Sequence, residues 1–136
     1  GVTRAYFLDK HEEAMRRIVE NTAQGLGMTA ELKYAHVVNP VINDDDDLTE
    51  IAQDAVKKLF GEETLYHMPP MMGSEDFANY AAEIPAVLGF IGGRDEANGM
   101  VYCNHHEKFD VNETLLPKGT ALMAQFAVDY LAANAK

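Results

Sequence analysis

The sequence is short of three things, and each shortage narrows what the chain can be. Cys103 is its one cysteine, so no internal disulfide is possible and a reducing, cytoplasmic setting is expected. Basic residues are scarce: 11 Lys and Arg stand against 22 Asp and Glu, a formal net charge of −11. A nucleic-acid binder needs clustered cations to meet phosphates, so that class is disfavoured. No apolar run approaches the roughly 20 residues of a membrane helix. A Gly-rich phosphate loop followed by Lys, a G-x-S-x-G elbow and an H-E-x-x-H helix are also missing. No signal-peptide pattern opens the chain. Gly1 leads straight into a strand-like segment, and the expectation is a chain that begins inside a longer protein.

What is there suits a globular protein of one ordinary domain or two small pieces. Of 136 residues, 47% are hydrophobic and 24% charged, which disfavours disorder. Residues 2–8 are β-branched and aromatic and read as a strand. Ala14, Met15, Ile18, Val19, Ala23 and Leu26 then recur at helical spacing, and Gly27 suits a left-handed cap. Residues 29–38 alternate as a second strand, giving a β-α-β unit. Asn39-Pro40 breaks the pattern and marks the expected domain boundary. Beyond it, the pattern predicts helices over 48–60, 74–84 and 115–133. Short strands are expected over 64–67 and 100–103, and a strand buried on both faces over 86–92.

The segment Pro69-Pro70-Met71-Met72-Gly73-Ser74-Glu75-Asp76-Phe77 is the most informative in the chain. Two prolines stop any preceding helix, and Gly73 permits backbone angles closed to other residues. Ser74 is a helix-capping residue followed by two acids, as the helix dipole favours. Such a helix start can receive a carboxylate or phosphate. Glu75 and Asp76 fit an acid/base pair or plain capping equally well. His105-His106 then follow a probable strand. Neighbours on extended backbone point to opposite sides, so one of the two at most reaches a given metal. Cys103 and His105 share strand parity and, with His67, could form a small zinc site, although zinc takes three or four protein ligands. His11 and His36 read as surface or packed side chains. The run Asp44-Asp45-Asp46-Asp47 lacks the spacing, Gly and distal Glu of a calcium loop and reads as acids at a helix start. Arg4 could fork onto a carboxylate or simply face solvent from its strand.

These segments, in this order, resemble a known family. It comprises the metal-dependent amidohydrolases related to hippurate hydrolase, aminoacylase, indoleacetyl-amino-acid hydrolases and carboxypeptidase G. Gly1-Val2-Thr3-Arg4-Ala5-Tyr6-Phe7 is similar to the family's G-T-x-R-x-F strand, and Asn39-Pro40-Val41-Ile42-Asn43 to its P-x-V-x-N crossing. The Pro69 to Phe77 segment resembles P-x-M-G-S-E-D-F. Asn104-His105-His106-Glu107-Lys108-Phe109-Asp110 resembles L-H-x-P-x-F-D, and Leu116-Pro117-Lys118-Gly119-Thr120-Ala121 resembles L-P-x-G-x-A.

The resemblance implies an α/β fold. Residues 1–39 would be the βαβ second half of a lid, or dimerisation, domain. Residues 40–136 would be the C-terminal α/β part of a metallopeptidase-like catalytic domain. It implies a hydrolase that cleaves N-acyl-amino acids or short peptides with water activated at a two-metal centre of zinc, manganese or nickel. His105 would be a metal ligand, Arg4 would grip the substrate carboxylate, and Gly73 and Ser74 would support the substrate. No catalytic base is assigned, and His106 has no direct role. Glu107 stands where the family has proline. The family's Cys/Asp-x-His-Asp motif, Glu-Glu base segment, middle histidine ligand and lid histidine have no counterpart. The chain alone is therefore expected to be inactive and to bind no metal tightly, with a homodimer possible. A non-enzymatic self-association module, joined through an exposed sheet edge, is the alternative.

Overall fold

A computed structural model describes residues 8–35, 39–69, 71, 73 and 75–135, with side chains from Lys10 onward. Among these residues four α-helices form: α1 Leu8–Gly25, α2 Asp46–Phe60, α3 Ala78–Ala81 and α4 Leu116–Ala133. Short 3-10 turns lie at Glu62–Thr64, Glu96–Asn98 and Glu113–Leu115. The chain divides into two compact units. The first is Gly1–Asn43 with Met68–Ala86; the second is Asp44–His67 with Val87–Lys136.

In the first unit α1 carries its apolar stripe inward at Ala14, Val19 and Ala23, the last of these buried. Its end is fixed by geometry that glycine supplies. Gly27 has φ 72°; its N–H donates to the Gln24 carbonyl at 3.0 Å, and Met28 N–H to the Ala23 carbonyl at 2.8 Å. That crossed pair is the Schellman stop. Arg16 then holds the departing chain, donating to the Leu32 carbonyl at 3.3 Å and pairing with Glu12 one turn back at 2.8 Å. The single turn of α3 buries Ala78.

The second unit is built on α2 and α4. Asp45 caps α2, accepting from Leu48 N–H at 2.9 Å, with Asp46 and Asp47 in the first turn and Lys57 and Lys58 in the last. Both ends thus carry the charge that the helix dipole favours, and the aspartate run is used in capping. Leu48 and Ala55 are buried on α2. α4 packs against α2, and Lys58 reaches across to Asp129 at 2.8 Å. That bond, and a second from Gln125, hold the Asp129 carboxyl below the usual range. Among the described residues no helix is long and apolar enough to cross a membrane.

Among the described residues helix predominates and the strand content expected of an α/β fold is almost absent. Residues 29–35, 64–67 and 86–92 carry no ladder; an isolated antiparallel bridge, Asp95 to Met100, is the β pairing present among the described residues. A strand is stable only when a neighbour accepts its backbone bonds. The apolar run 86–92 is not part of a ladder among the described residues. The strand expected over 2–8 lies outside them except for Leu8, which opens α1, and residues 36–38 of the second also lie outside. The helix expected over 74–84 shrinks to α3. Upstream, the Glu75 carboxylate accepts from Phe77 N–H at 3.3 Å, a local bond that competes with helix. Downstream, Pro85 biases Ile84 away from helical angles.

Removing the Asp45 cap should cost about 1 kcal/mol. Urea unfolding of Asp45→Ala should show a lowered midpoint with an unchanged slope; an unmoved midpoint would contradict the capping role.

Candidate active site

The histidine pair sits in a tight loop of the second unit whose two members are treated differently. His106 N–H donates to the Cys103 carbonyl at 3.2 Å, closing a turn in which His105 is the third residue. His105 has φ 70°, the one non-glycine positive φ among the described residues. Positive φ at that position is the mark of a type II turn, a place usually given to glycine or asparagine. Holding a β-carbon there costs roughly 1–2 kcal/mol, and residues so held cluster at functional sites. The turn presents His105 at the surface, exposed.

His106 is tied down. Its ring stacks on Tyr102 with centroids 4.2 Å apart and planes 16° off parallel. Its Nδ1 accepts from Lys108 N–H at 3.0 Å, and its carbonyl accepts from Phe109 N–H at 2.9 Å. The Lys108 ammonium lies 5.9 Å from the Tyr102 ring centre. A ring fixed on one face and at one nitrogen is a structural part of the loop.

Both ends of this loop are anchored by one carboxylate. Asp95 Oδ1 accepts from Asn98 N–H at 3.3 Å, and its Oδ2 accepts from Asn98 Nδ2 at 2.7 Å and from Asn112 Nδ2 at 2.8 Å. Asn112 in turn caps the turn before α4, accepting from Thr114 N–H at 3.0 Å and Thr114 Oγ1 at 2.7 Å. Asp95 therefore links the chain entering the histidine loop to the chain leaving it. Bonds from Asn98 and then Asn112 hold its carboxyl below the usual range. Sequence reading did not find this hub. Its signal was Asp95-Glu96-Ala97-Asn98-Gly99, a capping acid followed by a glycine that adopts φ 77°.

Of the other expected site residues, Arg4 and Ser74 lie outside the described residues. Gly73 is exposed in the first unit. Its φ is not positive, and among the described residues a β-carbon there would meet nothing within 4 Å. The expectation that glycine is needed there for its backbone angles is corrected: the fold does not require it. Helix α3 starts at Ala78 with no acid in its first turn, so Glu75 and Asp76 do not head a helix. Among the described residues no group of three or more His, Cys, Asp or Glu converges to hold a metal ion. Cys103, His105 and His67 therefore do not form the small zinc site considered above.

Comparison with known proteins decides the family. The family described as Peptidase family M20/M25/M40 matches residues 4–129. The chain belongs to this family. Relatives within it include the "Thermostable carboxypeptidase 2" of Saccharolobus solfataricus, 31% identical over 121 residues, covering 89% of this chain and 30% of that protein. The "IAA-amino acid hydrolase ILR1-like 2" of Arabidopsis thaliana is 38% identical over 92 residues, 68% of this chain and 20% of that protein. The "Putative amidohydrolase YhaA" of Bacillus subtilis is 28% identical over 119 residues, 88% of this chain and 30% of that protein. The chain thus spans about a third or less of the length of these family members. No solved structure matches it with significance.

Three outcomes follow. His105→Gly should leave stability near neutral or slightly raised, since relief of the positive-φ strain is offset by the freer unfolded chain, whereas His105→Val should lower it, because a β-branched residue is strained further at positive φ; equal stabilities would refute the turn assignment. Gly73→Ala should shift the unfolding free energy by no more than about 0.5 kcal/mol; a larger loss would show that glycine is required. A carboxyl whose pKa is lowered by folding stabilises above its unfolded value, near 3.9, and that contribution fades as pH falls through the folded value. Between neutral pH and pH 2, wild type should therefore lose more stability than Asp95→Asn, read from unfolding midpoints at each pH; parallel losses would contradict the hub.

Proposed function

We propose that this chain supplies part of a metal-dependent hydrolase that cleaves the amide bond of N-acyl-amino acids or short peptides. Residues 40–136 act as the C-terminal part of its catalytic domain, and residues 1–39 as the second half of its lid or dimerisation domain. The observation that carries the reading is the family match over 4–129 taken with the loop at His105. There a costly turn presents one imidazole while its neighbour is held by Tyr102 and Lys108. The names of the relatives, two of them hydrolases of amino-acid conjugates or amides and one a carboxypeptidase, point to the same bond class.

His105 is the metal ligand this chain contributes, with zinc, manganese or nickel as the candidate ions. Arg4 grips the substrate carboxylate through its planar fork. Gly73 and Ser74 line the side of the pocket that holds the acylated amino acid, where the absence of a side chain at Gly73 leaves room for substrate. The described residues do not fit a complete metal centre, since one histidine is too few for any ion. The remaining ligands and the base come from outside this chain. Dimerisation is assigned to residues 1–39, and the lone Cys103 suits a reducing, cytoplasmic setting.

The isolated chain should carry no tightly bound metal and should not hydrolyse hippurate or N-acetyl-amino acids. Elemental analysis and product assays on the purified polypeptide test this; robust, metal-dependent turnover would overturn the reading.

A further inference from the structure

Asn98-Gly99 is the one Asn-Gly pair in the sequence; every other asparagine is followed by a residue that carries a side chain. The peptide nitrogen after an asparagine can attack that asparagine's own Cγ, and glycine alone leaves the nitrogen uncrowded. The fold calls for glycine at this point. Gly99 closes the 3-10 turn Glu96–Asn98 at φ 77°, a left-handed angle that other residues rarely adopt. Both members of the pair are exposed, and among the described residues a β-carbon at Gly99 would meet nothing within 4 Å. In the closed turn both reacting groups are restrained. Asn98 N–H donates to Asp95 Oδ1 at 3.3 Å and Asn98 Nδ2 to Asp95 Oδ2 at 2.7 Å, while Gly99 N–H donates to the Glu96 carbonyl at 3.2 Å. A single exposed 3-10 turn opens at low cost, because little else holds it.

We propose that Asn98 is a site of spontaneous deamidation, restrained by Asp95, and that its reaction releases the anchor of the histidine loop. When the turn opens, the Gly99 nitrogen gives up its proton and bonds to Asn98 Cγ. The Cγ–Nδ2 bond breaks and ammonia leaves with that proton, so the chain closes into a cyclic imide. Water then cleaves one of the imide's two C–N bonds. Cleavage of the new bond leaves an ordinary aspartate; cleavage of the original peptide bond leaves isoaspartate, in which the chain runs through Cγ. Ammonia is exchanged for water, and nothing is oxidised or reduced. Either product puts a carboxylate where an amide donated to Asp95. The Asp95 carboxyl is ionised at neutral pH, since bonds from Asn98 and then Asn112 hold it below the usual range, and two like charges that close repel. Isoaspartate does more, because it lengthens the backbone between Asp95 and Met100. Those residues exchange backbone bonds at 2.9 and 2.8 Å across the turn, and such a register is set by the length of the loop it closes. With that exchange broken, Asp95 keeps only its bond from Asn112, and the chain entering the histidine loop is untied.

The test incubates the purified chain at mildly alkaline pH and follows each asparagine by peptide mass spectrometry. Asn98 should lose its amide before any other asparagine, and Asn98→Gln, whose longer side chain closes a ring far more slowly, should stay amidated. Asp95→Ala should speed the loss at Asn98 about fivefold, the weight of a modest hydrogen bond on an opening equilibrium, with Asn134 in the same molecules unchanged. Where Asn134 quickens as well, the variant has unfolded; Asp95→Ser, which keeps a capping oxygen, then takes its place, with a smaller acceleration of Asn98 alone expected. In the aged wild-type chain the Met100 N–H should lose its protection against hydrogen exchange, and in Asn98→Gln aged alongside it should keep it. An Asn98 that outlasts the other asparagines overturns the site. Equal rates with and without the Asp95 carboxylate overturn the restraint, and a deamidated chain that still protects Met100 overturns the release of the loop.

Discussion

The packing of α2 against α4 is the interaction on which the candidate loop depends. Ala55 is fully buried on α2, and a small side chain there lets a neighbouring element come close. Lys58 and Asp129 add a bond across the pair, though an ion pair this exposed contributes little by itself. Small size matters again on α4: a β-carbon at Gly119 would stand 3.0 Å from Ile91 Cδ1, so glycine allows the extended apolar segment to lie against the helix. With α4 fixed, the turn before it is fixed through Asn112, and Asn112 holds Asp95. The loop that carries His105 is suspended between those two points. The metal-ligand role proposed for His105 would call for that kind of support, because a ligand's reach must be set before an ion arrives.

A second constraint is how little the chain buries. Among the described residues the buried hydrophobics are Ala23, Val41, Leu48, Ala55 and Ala78, four of the five no larger than valine. Large apolar side chains, Ile18, Leu26, Phe90 and Met123 among them, remain exposed. A composition with 47% hydrophobic residues is ample for a core, so the shortage lies in what there is to pack against. On α4 the exposed side chains include Leu116, Met123, Val128 and Leu131.

The helices were legible because their signals are local. Apolar spacing located α1, α2 and α4 to within two residues, and Asp45 and Gly27 supplied start and stop signals that depend on near neighbours. The strands expected over 64–67 and 86–92 form no ladder among the described residues, because pairing depends on a partner that periodicity does not reveal. The helix expected from Ser74 was overestimated since the competing bond from Glu75 to Phe77 N–H uses a residue that would also serve as a first-turn acid. Within the site, the histidine pair was visible, but its division of labour was not fully so. Alternation separated the two side chains, whereas the positive φ at His105 arises from the turn, and the stacking of Tyr102 on His106 from a spacing of four that carried no prior meaning. Asp95 was missed because its two asparagine donors come from different stretches of chain.

The most direct measurement of the central claim compares the two histidines within a complete family framework. In a graft in which this chain replaces the matched stretch of Thermostable carboxypeptidase 2, metal stoichiometry should fall in His105→Ala and remain unchanged in His106→Ala, with both variants folded. Retention of the full metal complement in His105→Ala, or its loss in His106→Ala alone, would contradict the account.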